Sequence, residues 1–401
     1  MPTEKRAVAI VFAAVLIDTI GFGIVIPVLP ALIMRIGRVD LEAATRIAGY
    51  LVAVFALTQF FAGPVLGNLA DRFGRRPVLM FSMLAFAANY LAMALADSLI
   101  WLFIGRALAG VAGAIYAPAN AVIADVTPPA DRARRFGLMS AAFGVGFIIG
   151  PALGGMLAWF GPRAPFAAAA AIAIANAVTM LVLLPETLTP ANRRAFDWRR
   201  ANIVASFRPV FAQRAAAPLL VALFLWQLAY CIYPATWSFW ATARLHWDGP
   251  AIGLSLAYVG VIMAVVQIGL TGRAIKRFGE RGTAILAIAA GIITFALYAV
   301  VANGFQAYAL FLIGGLAGMA TPALNGMLSR MADANEQGAL QGGIGSLGTV
   351  ATIIATVMLT QALAAGVQRG FPGAAFALAS LLAALALTAL LATRPRPTAV
   401  A

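Results

Sequence analysis

Twelve long apolar runs divide this chain, at roughly 7–33, 47–70, 77–96, 99–124, 136–160, 164–184, 216–242, 250–273, 282–302, 305–330, 338–365 and 371–392. Each is long enough to cross a hydrocarbon core of about 30 Å at about 1.5 Å per helical residue. A segment in lipid has no water for its amides, so every span must be helical. The composition agrees. Hydrophobic residues make up 63% of the chain and charged residues 10%, where soluble domains carry about 25% charged residues. A net charge of +14 would suit a nucleic-acid binder if the cations formed one face. They lie instead in the short loops between runs, the positive-inside pattern of an integral membrane protein, so no nucleic-acid partner is expected. The single Cys231 and single His246 exclude a disulfide framework, a multi-cysteine metal site and histidine-cluster chemistry. Met1–Arg6 is basic, but the apolar run behind it is long and lacks a small-residue cleavage site, so a retained first span is expected.

Between the second and third runs lies a charged turn, Gly67-Asn68-Leu69-Ala70-Asp71-Arg72-Phe73-Gly74-Arg75-Arg76. So short a connection makes its two helices antiparallel neighbours. Gly67 and Gly74 are expected to let the backbones approach and turn. Arg72, Arg75 and Arg76 are expected to satisfy helix C-terminal carbonyls and Asp71. The turn then recurs 205 residues later as Arg277-Phe278-Gly279-Glu280-Arg281, with Gly67 matched by Gly272. At the same offset Asp131, Gly137 and Ser140 fall on Glu336, Gly342 and Gly345. The one long polar interruption, 185–215, separates six runs from six. The expected fold is an all-α integral membrane protein: twelve transmembrane helices in two pseudo-symmetric six-helix bundles. The first bundle is 1–184 and the second 216–401, joined by a cytoplasmic loop at 185–215.

Orientation follows from the cations. Of the 28 Lys and Arg residues, 21 lie at the N-terminus, the C-terminus or in the turns on that side, and six lie on the other. That asymmetry places both termini in the cytoplasm. The residue left over is Arg106, inside the fourth run. Among 14 acidic residues only Asp18 lies deep in a span, about 16 Å in by the helical rise. A charge at that depth needs a partner or a wet cavity, so Asp18 and Arg106 are where a mechanism is to be sought. Snorkelling of Arg106 to the outer interface is the competing reading.

The turn at 67–76 resembles the loop motif of the major facilitator superfamily. In that family it acts as a latch in the outward-facing state, and the resemblance gives that role to Asp71, Arg72, Arg75 and Arg76. Arg106-x-x-x-Gly110-x-x-Gly113-Ala114 is similar to the family's second motif, and its glycines suit close packing of the fourth helix. Gly146-x-x-x-Gly150-Pro151-x-x-Gly154-Gly155 reads physically as a small-residue face with a proline kink. It resembles the motif typical of antiporters in the superfamily. The second half, near Gly345–Ala355, lacks the Gly-Pro pair.

Asp18-Thr19-Ile20-Gly21-Phe22-Gly23-Ile24-Val25-Ile26-Pro27-Val28-Leu29-Pro30, with Gln59, Ala124-Asp125, Asp131–Gly137, Leu245-His246-Trp247-Asp248, Ile252–Leu256, Pro322–Arg330 and Gln337–Gly342, is similar to the tetracycline-efflux branch of the drug–proton antiporters. That branch carries an aspartate, a histidine and an aspartate where this chain has Asn89, Met263 and Gly291. These three cannot exchange a proton near neutral pH. The departure concentrates coupling on Asp18 and leaves magnesium–tetracycline open as the cargo. Candidate cavity residues are Gln59, Asn89, Tyr116, Asn120, Gln227, Tyr230, Tyr233, Trp237, Trp240, Gln267 and Asn325, an uncharged aromatic set suited to an amphiphilic ligand. Interhelical bonding or interface anchoring is the alternative role for each. His246, beside Trp247 and Asp248, reads as a surface histidine.

The resemblance implies a monomeric secondary transporter of the bacterial inner membrane. It would export a drug-like organic compound in exchange for protons, with no cofactor and no enzymatic activity. A facilitator or proton symporter for a small metabolite such as a sugar is the alternative, and the antiporter motif speaks against it. A membrane sensor would call for a soluble domain or long tail. A membrane enzyme would call for a catalytic cluster, and an ATP-driven pump for a phosphate-cradling loop.

Overall fold

A computed structural model describes residues 2–113, 116–128, 131–197, 216–331 and 337–393, and among these there is no strand. The helices in chain order are α1 (Pro2–Val25), α2 (Leu29–Gly37), α3 (Leu41–Phe73), α4 (Arg75–Leu95), α5 (Leu99–Ala112), α6 (Tyr116–Val126), α7 (Arg132–Leu157) and α8 (Ala164–Leu183). They continue with α9 (Ala217–Tyr230), α10 (Ile232–Leu245), α11 (Gly249–Val265), α12 (Thr271–Val300), α13 (Gly304–Ala317), α14 (Ala320–Ser329), α15 (Gln337–Gln368) and α16 (Ala374–Ala392).

These helices follow the twelve apolar runs, several of them broken where the local chemistry demands it. The first run is interrupted by a 3₁₀ turn at Ile26–Val28, where Pro27 has no N–H to give the ladder. Between α11 and α12 a π turn spans Val266–Leu270, and the Thr271 hydroxyl donates back to the Val266 carbonyl at 3.1 Å. Within α12 the backbone leaves helical geometry at Gly279, φ 69° and ψ 174°, so the eighth and ninth runs meet there. Nine helical stretches among the described residues are long and apolar enough to span a membrane. Gly249–Val300 counts once despite its kink, and the fourth and fifth runs contribute the shorter apolar helices Leu99–Val111 and Gly144–Phe160.

Large apolar side chains point outward along the helices, among them Phe61, Ile100, Val182, Ile268 and Phe305. This is the surface a lipid solvent selects, since hydrocarbon offers no penalty for exposed aliphatic or aromatic groups.

Packing divides the chain into two compact units, Met1–Ile203 with Ser238–Val261, and Val204–Trp237 with Ile262–Ala401. The segment Ser238–Val261 therefore packs with the first unit, although it follows 185–215 in sequence. In the first unit α1 lies along α7, α3 on α5 and α4 on α8. In the second, α12 and α9 both lie on α16, and α12 also packs on α13 and α14.

The α1–α7 contact explains the glycine pattern of the fifth run. A Cβ at Gly146 would stand 2.7 Å from the Thr19 Cβ, and one at Gly150 2.6 Å from the Ile20 carbonyl oxygen. Gly154 faces the Ile24 backbone, and Gly23 on α1 answers with its own bare Cα against Pro151. On the other side Gly155 meets Gly249 and Gly253 of α11, in the same unit. Only residues without side chains let helix backbones come this close.

Candidate functional site

The turn between α3 and α4 depends on Gly74, whose φ of 113° is left-handed territory that favours glycine. Its expected partner position, Gly279, also has positive φ, so the 205-residue repeat holds at the level of backbone geometry. Gly67 differs from expectation. Among the described residues a Cβ there would meet nothing within 4 Å, and the close contact falls at Gly74 instead.

Each cation in the turn has its own contact. Arg75 pairs with Asp71 at 2.5 Å and reaches Asp125 at 3.4 Å. Arg76 donates to the Leu181 carbonyl at the end of α8, while Arg72 lies over the exposed Phe73 ring at 5.0 Å. The second half repeats the last two contacts. Arg281 donates to the Leu391 carbonyl of α16 at 3.2 Å, and Arg277 lies over Phe278 at 5.6 Å. Glu280, where the first half has Arg75, pairs with Arg330 at 2.9 Å.

Sequence reasoning missed the anion that organises the first of these turns. Glu186 accepts from the backbone N–H of Arg75 at 2.9 Å and of Arg76 at 3.2 Å, capping the N-terminus of α4. It also accepts from Leu188 N at 2.9 Å, and it sits where a Cβ on Gly74 would collide. A carboxylate on free helix N–H groups is favoured by hydrogen bonding and by the helix dipole together. The adjoining strap is tied down as well: Asn68 donates to the Asp197 carbonyl at 2.6 Å, and Arg194 N donates to the Asp71 carbonyl at 3.0 Å. Replacing Glu186 with glutamine should lower the stability of the purified protein by about 1–2 kcal/mol, the worth of charge-assisted bonds to backbone donors. The thermal midpoint in detergent reports this, and a midpoint equal to that of the wild type would mean the cap contributes nothing.

Inside the first unit the two ionisable groups at membrane depth do not pair. Asp18, half-buried on α1, takes no hydrogen bond or ion pair among the described residues. Arg106 on α5 is 8% exposed, so it does not snorkel out of the protein. It donates to the Met93 sulfur at 2.9 Å and lies 6.0 Å from the Phe55 ring centroid. Gly110 and Gly113 bring α5 against Phe55, Thr58 and Gln59 of α3, the close packing that the motif suggested. Gln59 spends its amide on the Gly113 carbonyl at 2.8 Å. Asn89 is buried on α4, and its Oδ1 has no hydrogen-bond partner among the described residues. Asn176 of α8, another residue the sequence did not single out, joins α1 and α4 through the Ala14 carbonyl and the Met83 sulfur. Asn120 is exposed, and the side chain of Tyr116 lies outside the described residues.

The second unit holds an aromatic interior. Trp237 is fully buried, with the rings of Tyr298, Phe311, Phe376 and Tyr233 at 4.9–6.4 Å. Expected on a cavity wall, it lies here among packed aromatic rings. Trp226 stacks on Tyr230 and Phe295 and fills the space beside Gly291, where a Cβ would lie 2.7 Å from its ring. Gln267 repeats the role of Gln59, donating to the Gly318 carbonyl at 3.0 Å; Gly318 is Gly113 advanced by the repeat. Gln227 faces Gly348, and Tyr230 donates weakly to Met263. Tyr233 Oη, Thr294 Oγ1 and Asn325 Oδ1 are buried without a hydrogen-bond partner among the described residues. Trp240 is buried in the first unit. His246 is exposed, in a left-handed conformation at φ 56°.

This geometry is that of an apolar helical protein with spans long enough to cross a membrane and a charged turn in each half. Comparison with known proteins agrees. The family described as the Major Facilitator Superfamily matches residues 11–356. The chain is 40% identical to the class C tetracycline resistance protein of Escherichia coli over 90% of its own length and 91% of the relative's. It is 30% identical to multidrug resistance protein 2 of Bacillus subtilis (strain 168), over 84% of each. Among solved structures the nucleoside transporter NupG superposes with a TM-score of 0.78 at 13% identity, covering 98% of this chain and 99% of that one. The human organic anion transporter MFSD10 superposes at 0.71 and 23%, covering 97% and 100%.

Proposed function

Because the chain belongs to the major facilitator superfamily, we propose that it works as a secondary transporter, exporting a drug-like organic compound in exchange for protons by alternating access. The observation that carries this reading is near-full-length similarity to tetracycline and multidrug resistance proteins, in a chain whose deep carboxylate, Asp18, stands without a partner among the described residues. Asp18 is the proton carrier in this reading, and the buried charge of Arg106 biases its occupancy. Asp71, Arg72, Arg75 and Arg76 form the latch, with Glu186 holding the backbone of the last two, and the α1–α7 glycine face is the contact along which helices slide. The proton gradient supplies the energy, so no cofactor or catalytic group is required. The protein acts as a monomer in a bacterial inner membrane with both termini in the cytoplasm, an orientation supported by the 21-to-six bias in cations.

The cargo site is neutral and aromatic, which favours an amphiphilic compound over a chelated metal complex. Asn89, Met263 and Gly291 offer no charge, and the space beside Gly291 is filled by the Trp226 ring. The test is drug susceptibility of an efflux-deficient host expressing the chain, with tetracycline, lipophilic cations and phenicols compared with and without an uncoupler. Uncoupler-sensitive protection against at least one of them is expected. Protection that survives the uncoupler, or none against any compound, would refute proton-driven efflux.

A further inference from the structure

We infer that Tyr90, absent from the family motifs considered above, is the positioning residue that holds the α1 carboxylate helix in register with the α5 arginine. This rests on the reading of Asp18 and Arg106 as the coupling pair. The two groups sit on different helices and do not touch, so something between them must relate their positions.

Tyr90 lies on α4, 4% exposed and stacked on Phe86 with the ring planes 21° apart. Its hydroxyl abuts α1. A Cβ on Gly21 would stand 3.0 Å from the oxygen and 3.1 Å from the ring, so the bare Cα of Gly21 is what admits the phenol there. Gly21 is one helical turn from Asp18, and residues three apart share a helix face. On the other side, Met93 is one turn from Tyr90 along α4 and takes the Arg106 hydrogen bond. The phenol therefore meets α1 one turn from Asp18 and stands on α4 one turn from Met93, the residue that takes the Arg106 bond. It is rigid, with two torsions and a stacked ring, so a shift of α1 is passed to the α4–α5 pair through a stiff part.

Two measurements on the full chain test this. In everted vesicles, Tyr90→Phe keeps the stack and removes only the hydroxyl. It should lose most gradient-driven accumulation of tetracycline or ethidium while downhill exchange of the same probe continues. Full accumulation would overturn the assignment, and so would equal loss of both modes, which marks a structural role. The second measurement needs no cargo. In detergent, Gly21→Ala should lower the melting midpoint of the wild-type background by clearly more than that of a Tyr90→Ala background, because the added methyl meets both the phenol oxygen and the ring. Additive midpoints would overturn the contact. If the wild type exports neither probe, the susceptibility test above decides the efflux reading, and the melting cycle still decides the contact made by Tyr90.

Discussion

Replacement of Asp18 by asparagine is expected to reduce gradient-driven export to the level of vesicles lacking the protein, while the protein still folds and inserts. The two side chains are nearly the same shape, and only the carboxyl can take up and release a proton. Folding is spared because Asp18 accepts no hydrogen bond and makes no ion pair among the described residues, so no buried donor is orphaned by the change. Removing a potential charge from a span also lowers the cost of insertion. No other acidic residue lies deep in a span, so nothing nearby can substitute. Everted vesicles loaded by an imposed pH gradient give the readout, with the melting midpoint in detergent as the folding control. Wild-type accumulation in the asparagine variant would remove Asp18 from the mechanism and leave the chain without a carrier.

That prediction comes from the sequence with little help from coordinates, and the reason is physical. A carboxylate in twenty apolar residues is conspicuous because lipid tolerates so few of them. The helices were legible on the same ground, as was the turn at Gly74, where a repeated Arg-Phe-Gly signals a conformation few other residues adopt. The glycine face of α7 could be read as a close contact. What it touches could not, since nothing in its spacing names α1 on one side and α11 on the other.

Long-range polar partners were likewise hidden. Glu186 reads as one acid in a polar stretch until it is found capping α4 from 111 positions away. Gln59 and Gln267 read as cavity residues, yet each is tied to a glycine carbonyl. The ring cluster around Trp237 was hidden for a related reason. In a membrane chain, apolar and aromatic residues face lipid and protein alike, so periodicity does not separate core from surface. The break at Ile26–Val28 and the π turn at Val266–Leu270 lie inside runs whose hydropathy is uniform, and hydropathy carries no record of the hydrogen-bond ladder.

The repeat also shows how the halves diverged. Asp18 and Arg106 correspond to Leu223 and Phe311 at the 205-residue offset, so the second unit has apolar groups where the first has its two ionisable ones. Asn89 corresponds to Thr294, and both keep a buried oxygen with no hydrogen-bond partner among the described residues. In the proposed mechanism this divides the labour, with proton chemistry in the first unit and aromatic contact in the second.

Gly150→Val is expected to be strongly damaging in the first unit. The first added carbon alone would stand 2.6 Å from the Ile20 carbonyl oxygen and 2.8 Å from the Gly23 Cα. Both are backbone atoms, so no rotamer change relieves the clash, and α1 must move away from α7. Overpacking of this kind costs about 1–3 kcal/mol even where side chains give way, and here the displaced part is the helix that carries Asp18. Loss of monodisperse protein or a much lower melting midpoint should accompany loss of export. Gly144→Val is the matched control. It lies on the same helix, and a Cβ there meets nothing within 4 Å among the described residues, so the same loss of glycine should leave midpoint and export near those of the wild type. If the two variants behaved alike, propensity rather than close backbone contact would explain the glycines of α7, and the sliding contact assigned to that face would have no support.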